Sequence, residues 1–166
     1  MLYNICKVDF TLEEYNMTER SYTTRRMALV EALASKIKTI DGGTEFRSNL
    51  FNNVSPRLLF WDEIKQYPAI HLSAGLETRE YQSGGYKDRF LNVTVRIYVD
   101  EEDAVLAIES ILEDVETIIE QNSRLEYTDK DGATQCTQQI TIVSIDTDEG
   151  VLEPLGIAEM QIQIQY

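Results

Sequence analysis

The chain has few of the residues that metal, redox or covalent chemistry requires. Its 166 residues include one histidine, His71, and two cysteines, Cys6 and Cys136. The cysteines lie far apart and form no CxxC pair, which argues against a zinc site and against a disulfide framework. We therefore expect neither a metal nor a cofactor. Two unpaired thiols fit a reducing compartment.

Long apolar runs are also absent. No stretch approaches the ~18 consecutive apolar residues that a membrane span needs. The first residues, MLYNICKVDF, include a Lys and an Asp within their apolar part and no small-residue cleavage site, unlike a secretory signal. The sequence therefore predicts a protein of cytoplasmic origin with no membrane partner.

Basic charge is scarce. The sequence has 15 Lys and Arg residues against 29 Asp and Glu residues, for a formal net charge of -14. Nucleic-acid binding gains most of its affinity from cations that neutralise phosphates, so the chain as a whole would repel DNA or RNA. High net charge also opposes casual self-association, and any oligomer must rest on a specific interface.

Sequence signatures of catalysis are missing as well. There is no P-loop, GxGxxG, GxSxG or HExxH motif. His71 lies in a strand-like stretch without a nucleophile or carboxylate at a suitable spacing, so we predict a structural role for it and assign no catalytic residue. With 29 carboxylates a glycosidase-like pair could form, and a small carboxylate-dependent hydrolase stays an alternative.

Two short motifs have a structural and a functional interpretation. Asp129-Lys130-Asp131-Gly132 resembles the middle of a calcium loop, but Tyr127 and Gln138 then stand at ligand positions that need carboxylates, which favours an exposed turn. Residues 56–61, with Arg57, Phe60 and Trp61, could stack on bases. A single Arg gives little support for nucleic-acid binding, and such aromatic residues more often complete a core or a subunit contact.

Apolar periodicity predicts the main elements. Residues 24–40 and 100–121 carry helical stripes, the first ending at Asp41-Gly42-Gly43 and the second with Asp100 as N-cap. Period-2 alternation predicts strands over residues 90–99 and 158–166, and two more over 69–74 and 138–146. A phase shift between Ile142 and Val143 predicts a bulge or a strand end there.

The stretch 66–89 predicts a projecting hairpin. Pro68 opens a strand, and Ser83-Gly84-Gly85-Tyr86 suits a tight turn. Its arms have no apolar face, so they could extend ~15–20 Å past the sheet and contact a neighbouring subunit. The residues that we predict for a subunit or tube interface are Arg57, Trp61, Arg79, Tyr81, Tyr86, Lys87 and Arg89.

The predicted fold is a single α+β domain over residues 1–166. It has a mostly antiparallel sheet of four to five strands, two main helices packed on one face and the projecting hairpin. Residues 1–22 form an N-terminal arm with local order only, and residues 23–166 form the domain proper.

The order of these elements resembles a known family. A helix is followed by WDEIKQYPAIHLSAGLETREYQSGGYKDRFLNVTVRIYVDEED, then by an amphipathic helix and a closing β-hairpin. This order is similar to the tail terminator, or tail completion, proteins of long-tailed bacteriophages. The most telling segments are residues 62–70, 75–80 and 96–100. The resemblance runs from about Arg25 to Tyr166, and the first twenty or so residues have no counterpart in it.

The resemblance implies a structural virion protein without enzymatic activity. It implies a homo-oligomeric ring, usually a hexamer, that caps the tail tube, stops tube polymerisation and forms the head-docking surface. The implied partners are the tail tube protein and a head-completion or connector protein. The implied location is the head-proximal end of the virion tail, and the host cytoplasm during assembly.

A ring of acidic subunits would let DNA pass through without specific binding. The acidic loops that we predict to face the lumen contain Asp129, Asp131, Asp146, Asp148 and Glu149. Two alternatives stay open beside the terminator. One is a head-completion or connector subunit, and the other is the carboxylate-dependent hydrolase.

Overall fold

The structure is a computed structural model that describes residues 24–166, so the predicted arm of residues 1–22 lies outside the described residues. Its elements are α1 (Arg25–Ile37), β1 (Val54–Ser55), a short 3-10 helix (Trp61–Glu63), β2 (Ala69–Tyr81), β3 (Lys87–Asp100), α2 (Ala104–Gln121), β4 (Glu126–Thr128), β5 (Thr134–Cys136), β6 (Gln139–Thr147) and β7 (Leu155–Gln165). Neither helix in this part of the chain is long and apolar enough to cross a membrane.

A five-stranded sheet with the order β1-β2-β3-β7-β6 forms the centre of the fold. β1 runs parallel to β2, and the other pairings are antiparallel. The apolar stripes of both helices and the alternating apolar residues of β3 and β7 belong to one buried core. Both helices therefore cover the same face of the sheet. The predicted α+β class and mostly antiparallel sheet are confirmed, and β4 and β5 add a separate two-stranded hairpin that was not predicted.

The helix α1 begins where the sequence predicts and ends earlier. The side chain of Thr24 accepts a hydrogen bond from the Met27 N–H at 3.2 Å and caps the helix. The helix ends at Ile37, three residues before the predicted end at Ile40. After Ile37 the hydrogen bonding changes to a tighter turn, in which the Ile40 N–H donates to the Ile37 carbonyl at 3.1 Å. Ile40 is nevertheless fully buried. Its place in the apolar pattern therefore reflects packing in the core and not membership of the helix.

The N-cap of α2 is Asp103, and the prediction of Asp100 was wrong. β3 continues through Asp100, which pairs with Leu155 of β7, and the Asp103 carboxylate accepts from the Leu106 N–H at 3.0 Å. The helix then crosses β7 closely, since a Cβ at Gly156 would lie 2.7 Å from the Ile108 side chain. A run of four acids offers several possible caps, and strand pairing decides which one is used.

Two register shifts bend the sheet. The shift between Ile142 and Ser144 of β6 confirms the predicted bulge. A second shift between Ala74 and Glu77 of β2 was not predicted. Because one extra residue reverses the side-chain alternation, Glu77 comes to lie opposite the core residue Leu91, on the face that the helices cover.

The buried carboxylate of Asp114 fixes the long connection between α1 and β1. Asp114 lies on α2 and is 4% exposed. It accepts hydrogen bonds from the Arg47 N–H at 3.1 Å, from the Ser48 N–H at 2.7 Å and from the Ser48 hydroxyl. One side chain thus satisfies several loop donors and holds residues 41–53 against the helix.

We expect Asp114→Ala to destabilise the protein by about 1–3 kcal/mol, because it leaves those partly buried donors without an acceptor. Urea unfolding at neutral pH measures the loss. Glu120→Ala removes an exposed carboxylate from the same helix and serves as the control, with an expected change below about 0.5 kcal/mol. Equal unfolding midpoints for the two variants would contradict the anchoring role.

Candidate assembly interface

Both outer edges of the sheet are largely open within residues 24–166. β1 pairs with β2 at Ile70 and His71, and no described strand covers the outer side of β2 from Leu72 to Tyr81. β6 forms the opposite edge. Edge strands carry unpaired backbone groups that another chain can bind.

The hairpin of β2 and β3 extends past the rest of the sheet. The two strands pair as far as Tyr81 and Lys87, whereas β7 follows β3 only to Phe90, and the Tyr166 N–H donates to the Arg89 carbonyl at 3.0 Å. Gly84 and Gly85 turn the chain with φ of +86° and +84°. Residues 80–88 thus form the hairpin tip. It projects ~13 Å, less than predicted, because Glu77 and Arg79 are still part of the body.

Two exposed tyrosines and two basic residues cluster on or beside this tip. Tyr81 and Tyr86 are 70% and 76% exposed. The Lys87 ammonium lies 5.3 Å from the centre of the Tyr81 ring, a cation–π contact. Arg79 is half-exposed at the base of the tip. These predicted interface residues are therefore brought together by the structure.

The buried carboxylate of Glu77 holds the base of the hairpin. Its side chain is 6% exposed, and it accepts from Arg79 Nε at 2.7 Å and from the Tyr166 hydroxyl at 2.8 Å. Arg26 Nε of α1 lies 3.7 Å away, and the Arg26 guanidinium also donates to the Gly75 carbonyl. One carboxylate thus connects α1, β2 and the residue that follows β7.

Arg89 belongs to this base and not to the tip. Its guanidinium lies 5.9 Å from the centre of the Tyr166 ring, and that ring packs edge-on against Tyr127. The predicted contact residue Arg89 therefore supports the hairpin from below, and its side chain is half-buried.

The environment of Glu77 favours its charged form. Burial by itself raises the pKa of this carboxyl, but hydrogen bonds from Arg79 and Tyr166 and the charges of Arg79 and Arg26 outweigh burial, so its pKa is lowered. Burial and, after it, the hydrogen bond to Glu77 and its charge raise the pKa of the Tyr166 phenol.

Arg57 and Trp61, also predicted as contact residues, lie near the other end of β2. Trp61 is half-buried and packs edge-on against Tyr98 at 5.4 Å between ring centres. Arg57 is exposed beside it in the connection to β2. At about 3.3 Å per residue, most of the length of β2 separates this region from the hairpin tip, roughly 35 Å. The predicted interface residues therefore form two separate groups.

His71 is a buried part of that aromatic group. It is 1% exposed, its ring centre lies 5.1 Å from that of Tyr98, and its Nδ1 accepts from the Leu59 N–H at 3.4 Å. Burial is the largest effect and lowers the pKa of the imidazole, against smaller opposite effects of the Leu59 backbone and the Glu63 charge. The neutral ring thus supports the loop that carries Leu59.

The predicted acidic loops lie at opposite ends of the sheet. Asp129 is buried in the β4–β5 turn, where its Oδ1 accepts from the Asp131 and Ala133 N–H groups. These backbone hydrogen bonds lower its pKa. The prediction that this whole turn is exposed was wrong for Asp129, although Asp131 is exposed and contacts Lys130 at 2.7 Å.

Asp146, Asp148 and Glu149 lie at the end of β6 and in the β6–β7 turn. Asp148 shapes this turn, because its carboxylate accepts from the Leu152 N–H at 3.2 Å and from the Ile157 N–H at 3.4 Å. Asp146 and Glu149 are exposed. The two acidic turns therefore do not form one cluster.

Sequence reasoning missed the strongest charge pattern. After Arg96 the chain contains only Arg124 and Lys130 as basic residues, whereas most of its carboxylates follow that point. Glu109, Glu113, Glu116 and Glu120 lie three or four residues apart on α2, a spacing at which like charges repel. Net charge counted along the chain would have revealed this segregation.

We expect Glu77→Gln to be less stable than wild type by about 1–3 kcal/mol at pH 7, because a neutral amide binds two arginines poorly. A carboxyl with a lowered pKa contributes its full stability above its ordinary pKa of 4.5 and loses it as the pH falls through the folded-state value. The difference between wild type and variant should therefore shrink below about pH 4.5.

Urea unfolding at a series of pH values measures this difference. Glu80→Gln, on the exposed tip of the same hairpin, is the control and should match wild type throughout. A Glu77→Gln deficit that stays constant down to pH 3 would contradict the ion-pair account.

Comparison with known proteins gives one family. The family described as Bacteriophage Tail Tube Terminator Protein matches residues 23–166. Tail tube terminator protein p142 of Escherichia phage T5 is 33% identical over 150 residues, which cover 85% of this chain and 92% of that protein. A chain of the native gene transfer agent virion superposes on 86% of this chain and 93% of its own length. Its TM-score is 0.49 at 9% identity.

The match to the family spans every element of the described fold and begins at residue 23, so residues 1–22 lie outside it. It agrees with the resemblance that the order of elements indicated. The chain belongs to the family of bacteriophage tail tube terminator proteins.

Proposed function

We propose that identical copies of this chain close into a ring, a hexamer, on the last ring of the tail tube. The ring stops tube polymerisation and presents the surface on which the head docks. Its mechanism is assembly: each copy binds a finished tube end and offers no further tube-forming surface. The observation that carries this proposal is a sheet with two open edges and a projecting hairpin.

Open edges and a projection suit a ring because ring contacts are heterologous. One patch of a subunit must bind a different patch on the next subunit, and the rotation must close. The β2 edge with its hairpin and the β6 edge lie on opposite sides of the same sheet. They are therefore available as the two unlike halves of such a contact.

The charge pattern supports a channel for DNA. In six copies with a net charge of -14 each, repulsion would keep the phosphate backbone from binding the ring wall. We propose that the acid-rich half of the chain, which contains α2 and the β6–β7 turn, contributes to the lumen. Asp131, Asp146 and Glu149 are the exposed members of the loops predicted for this role.

We also propose that the protein acts without catalysis. His71 is packed against Tyr98, and its Nδ1 is occupied by a backbone donor. The carboxylates of Asp129 and Asp148 accept hydrogen bonds from their own turns. These groups serve the fold, which favours the structural virion protein over the carboxylate-dependent hydrolase.

The experiment that tests this function is tube capping. Tail tube protein polymerises with and without the purified chain, and electron microscopy records tube length and tube ends. We expect the chain to form sixfold rings at one end of each tube and to stop elongation from that end.

The matched control is a variant with a shortened tip. A two-residue Asn-Gly turn replaces residues 81–87, which should remove the projection and keep the rest of the fold, because Glu80 and Asp88 are paired across the hairpin. It should bind tubes as isolated subunits or not at all. Tubes that lengthen equally with and without the wild-type chain would contradict the proposal. Binding to tailless heads in place of tubes would instead identify a head-completion subunit.

A further inference from the structure

A pocket at the base of the hairpin is lined by cations. Its volume is about 290 Å³, and its wall contains Arg25 of α1 with Lys87 and Arg89 of β3. The rings of Tyr127 and Tyr166 belong to the same wall, and no carboxylate is among the lining residues. Lys87 is exposed, whereas Arg25 and Arg89 are half-buried. In a chain with a net charge of -14, this surface is a local exception. We call it the basic pocket.

The acids of the hairpin tip lie on the other face of the hairpin. Side chains alternate along a strand, so Lys87 and Arg89 share one face of β3 and Asp88 lies on the opposite face. Glu80 pairs with Asp88 across the hairpin and shares that opposite face. The Asp88 carboxylate accepts from the Gln82 side chain at 3.2 Å. The tip as a whole is therefore not basic, but Lys87 and Arg89 face the pocket without these acids.

The other carboxylates near the basic pocket have contacts of their own. Glu77 is shared by two arginines and Tyr166. Glu126 and Asp129 line a separate cavity against α1. Hydrogen bonds from its own turn are the main reason that the pKa of Asp129 is lowered, and the charge of Arg25 has the smallest effect. The three cations of the pocket form no ion pair within residues 24–166.

The position of Arg25 adds to the positive charge of the pocket. α1 begins at Arg25, and its first turn contains no acid. The N-terminus of a helix carries partial positive charge, so an anion beside it is favourable and a cation is not. The basic pocket therefore suits carboxylates. Because its cations converge and do not form a stripe, they suit one acidic protein segment better than the phosphate chain of DNA.

An acidic face of the same chain has this chemistry. Glu109, Glu113 and Glu116 of α2 line one cavity of about 400 Å³ beside Ile145 of β6. Arg47 pairs with Glu113 at 2.5 Å, and within residues 24–166 neither Glu109 nor Glu116 has an ion pair. Like charges at this helical spacing repel each other, so a cationic partner would stabilise them. We call this surface the α2 acidic face.

Exposed apolar side chains lie among these glutamates. Leu106 and Ile145 line the same cavity and are 63% and 39% exposed. Large apolar side chains that remain exposed next to polar ones are typical of a contact surface. The basic pocket offers tyrosine rings and arginines, which are common in interfaces. The two surfaces therefore match in both their charged and their apolar parts.

The two surfaces of one chain cannot meet. Ile145 pairs with Met160, six residues before Tyr166, so the α2 acidic face lies about 20 Å along the sheet from the basic pocket. It also lies over β6, the edge opposite to β1 and β2, whereas the pocket is formed by α1 and the β2–β3 hairpin. An acidic face that fills the pocket must belong to another molecule.

We infer that the α2 acidic face of one copy binds the basic pocket of the next copy. Glu109 and Glu116 of the first copy face the three cations of the second. The contact joins unlike surfaces and is therefore heterologous, as a closed ring requires. The carboxylates of the two acidic turns stay free for the lumen. This inference rests on the ring proposed above and specifies its contact.

Complementary charge reversal tests the contact with the full-length chain. Arg25→Glu with Lys87→Glu makes both surfaces acidic, and Glu109→Lys with Glu116→Lys makes both basic. We expect each double variant alone to need at least about tenfold more protein for half-maximal ring assembly. An equimolar mixture should assemble within about threefold of wild type, because alternating copies present opposite charges at every contact of a six-membered ring. Sedimentation velocity and electron microscopy measure assembly.

Matched controls change the same charges elsewhere. Lys65→Glu with Arg124→Glu and Glu45→Lys with Glu102→Lys reverse exposed charges outside both surfaces. Both control variants should assemble like wild type. Circular dichroism of each variant shows whether the fold is retained.

Thiol crosslinking gives a second measurement that keeps the charges intact. In a Cys6→Ser background the native Cys136, which lines the basic pocket, is the remaining thiol. Ser110→Cys adds a thiol on the α2 acidic face. A short bismaleimide should join copies of this variant in assembled rings. Thr39→Cys, with its thiol on an exposed residue outside both surfaces, is the control and should not be joined.

The outcomes separate this inference from the proposed function. If wild type forms rings and the double variants assemble equally well, or their mixture fails to assemble, or the Ser110→Cys copies stay unlinked, the inference is overturned while the ring stands. If the wild-type chain neither forms rings nor caps tubes, the proposed function fails and the inference fails with it.

Discussion

The projecting hairpin depends on one buried carboxylate. A bulge in β2 turns Glu77 toward the core, where it binds Arg79, Tyr166 and Arg26. Without these partners a carboxylate in this position would be costly to bury, and without the carboxylate the arginines would lose their common acceptor. The fold thus uses an ionic contact to fix the direction of a segment that its own core does not need.

Charge is unevenly distributed along the chain. The tip carries Lys87 together with Glu80, Asp88 and two exposed tyrosines, and most carboxylates of the chain follow Arg96 in the sequence. A chain with a net charge of -14 repels its own copies at long range, so any assembly has to rest on a specific interface. In the proposed ring, the same net charge keeps DNA from binding the lumen wall.

Much of this fold could be predicted from the sequence, since α1, α2, β3 and β7 carry strong apolar periodicity. The elements that were missed have weak local signals. β4 and β5 are short and mostly exposed, and the role of Glu77 depends on a bulge that reverses the period-2 pattern. The N-cap at Asp103 was missed because pairing with β7, a contact distant in sequence, extends β3 through Asp100.

The structure divides the predicted interface residues between two regions. The tip residues do lie together, but Trp61 packs on Tyr98 near His71, and Arg89 supports the hairpin base. Exposed apolar residues such as Phe51 and Leu106 were not singled out, because the sequence of a loop or a helix does not show whether an apolar side chain is covered. Exposure of this kind is a property of the tertiary structure.

Amide hydrogen exchange of dispersed and assembled protein tests most directly whether copies cover the surfaces that the fold leaves open. The account predicts that the amides of the tip, residues 80–88, and the β6 amides that face away from β7 exchange rapidly in dispersed subunits and become protected in rings or on capped tubes. Unchanged exchange at both surfaces after assembly would contradict it.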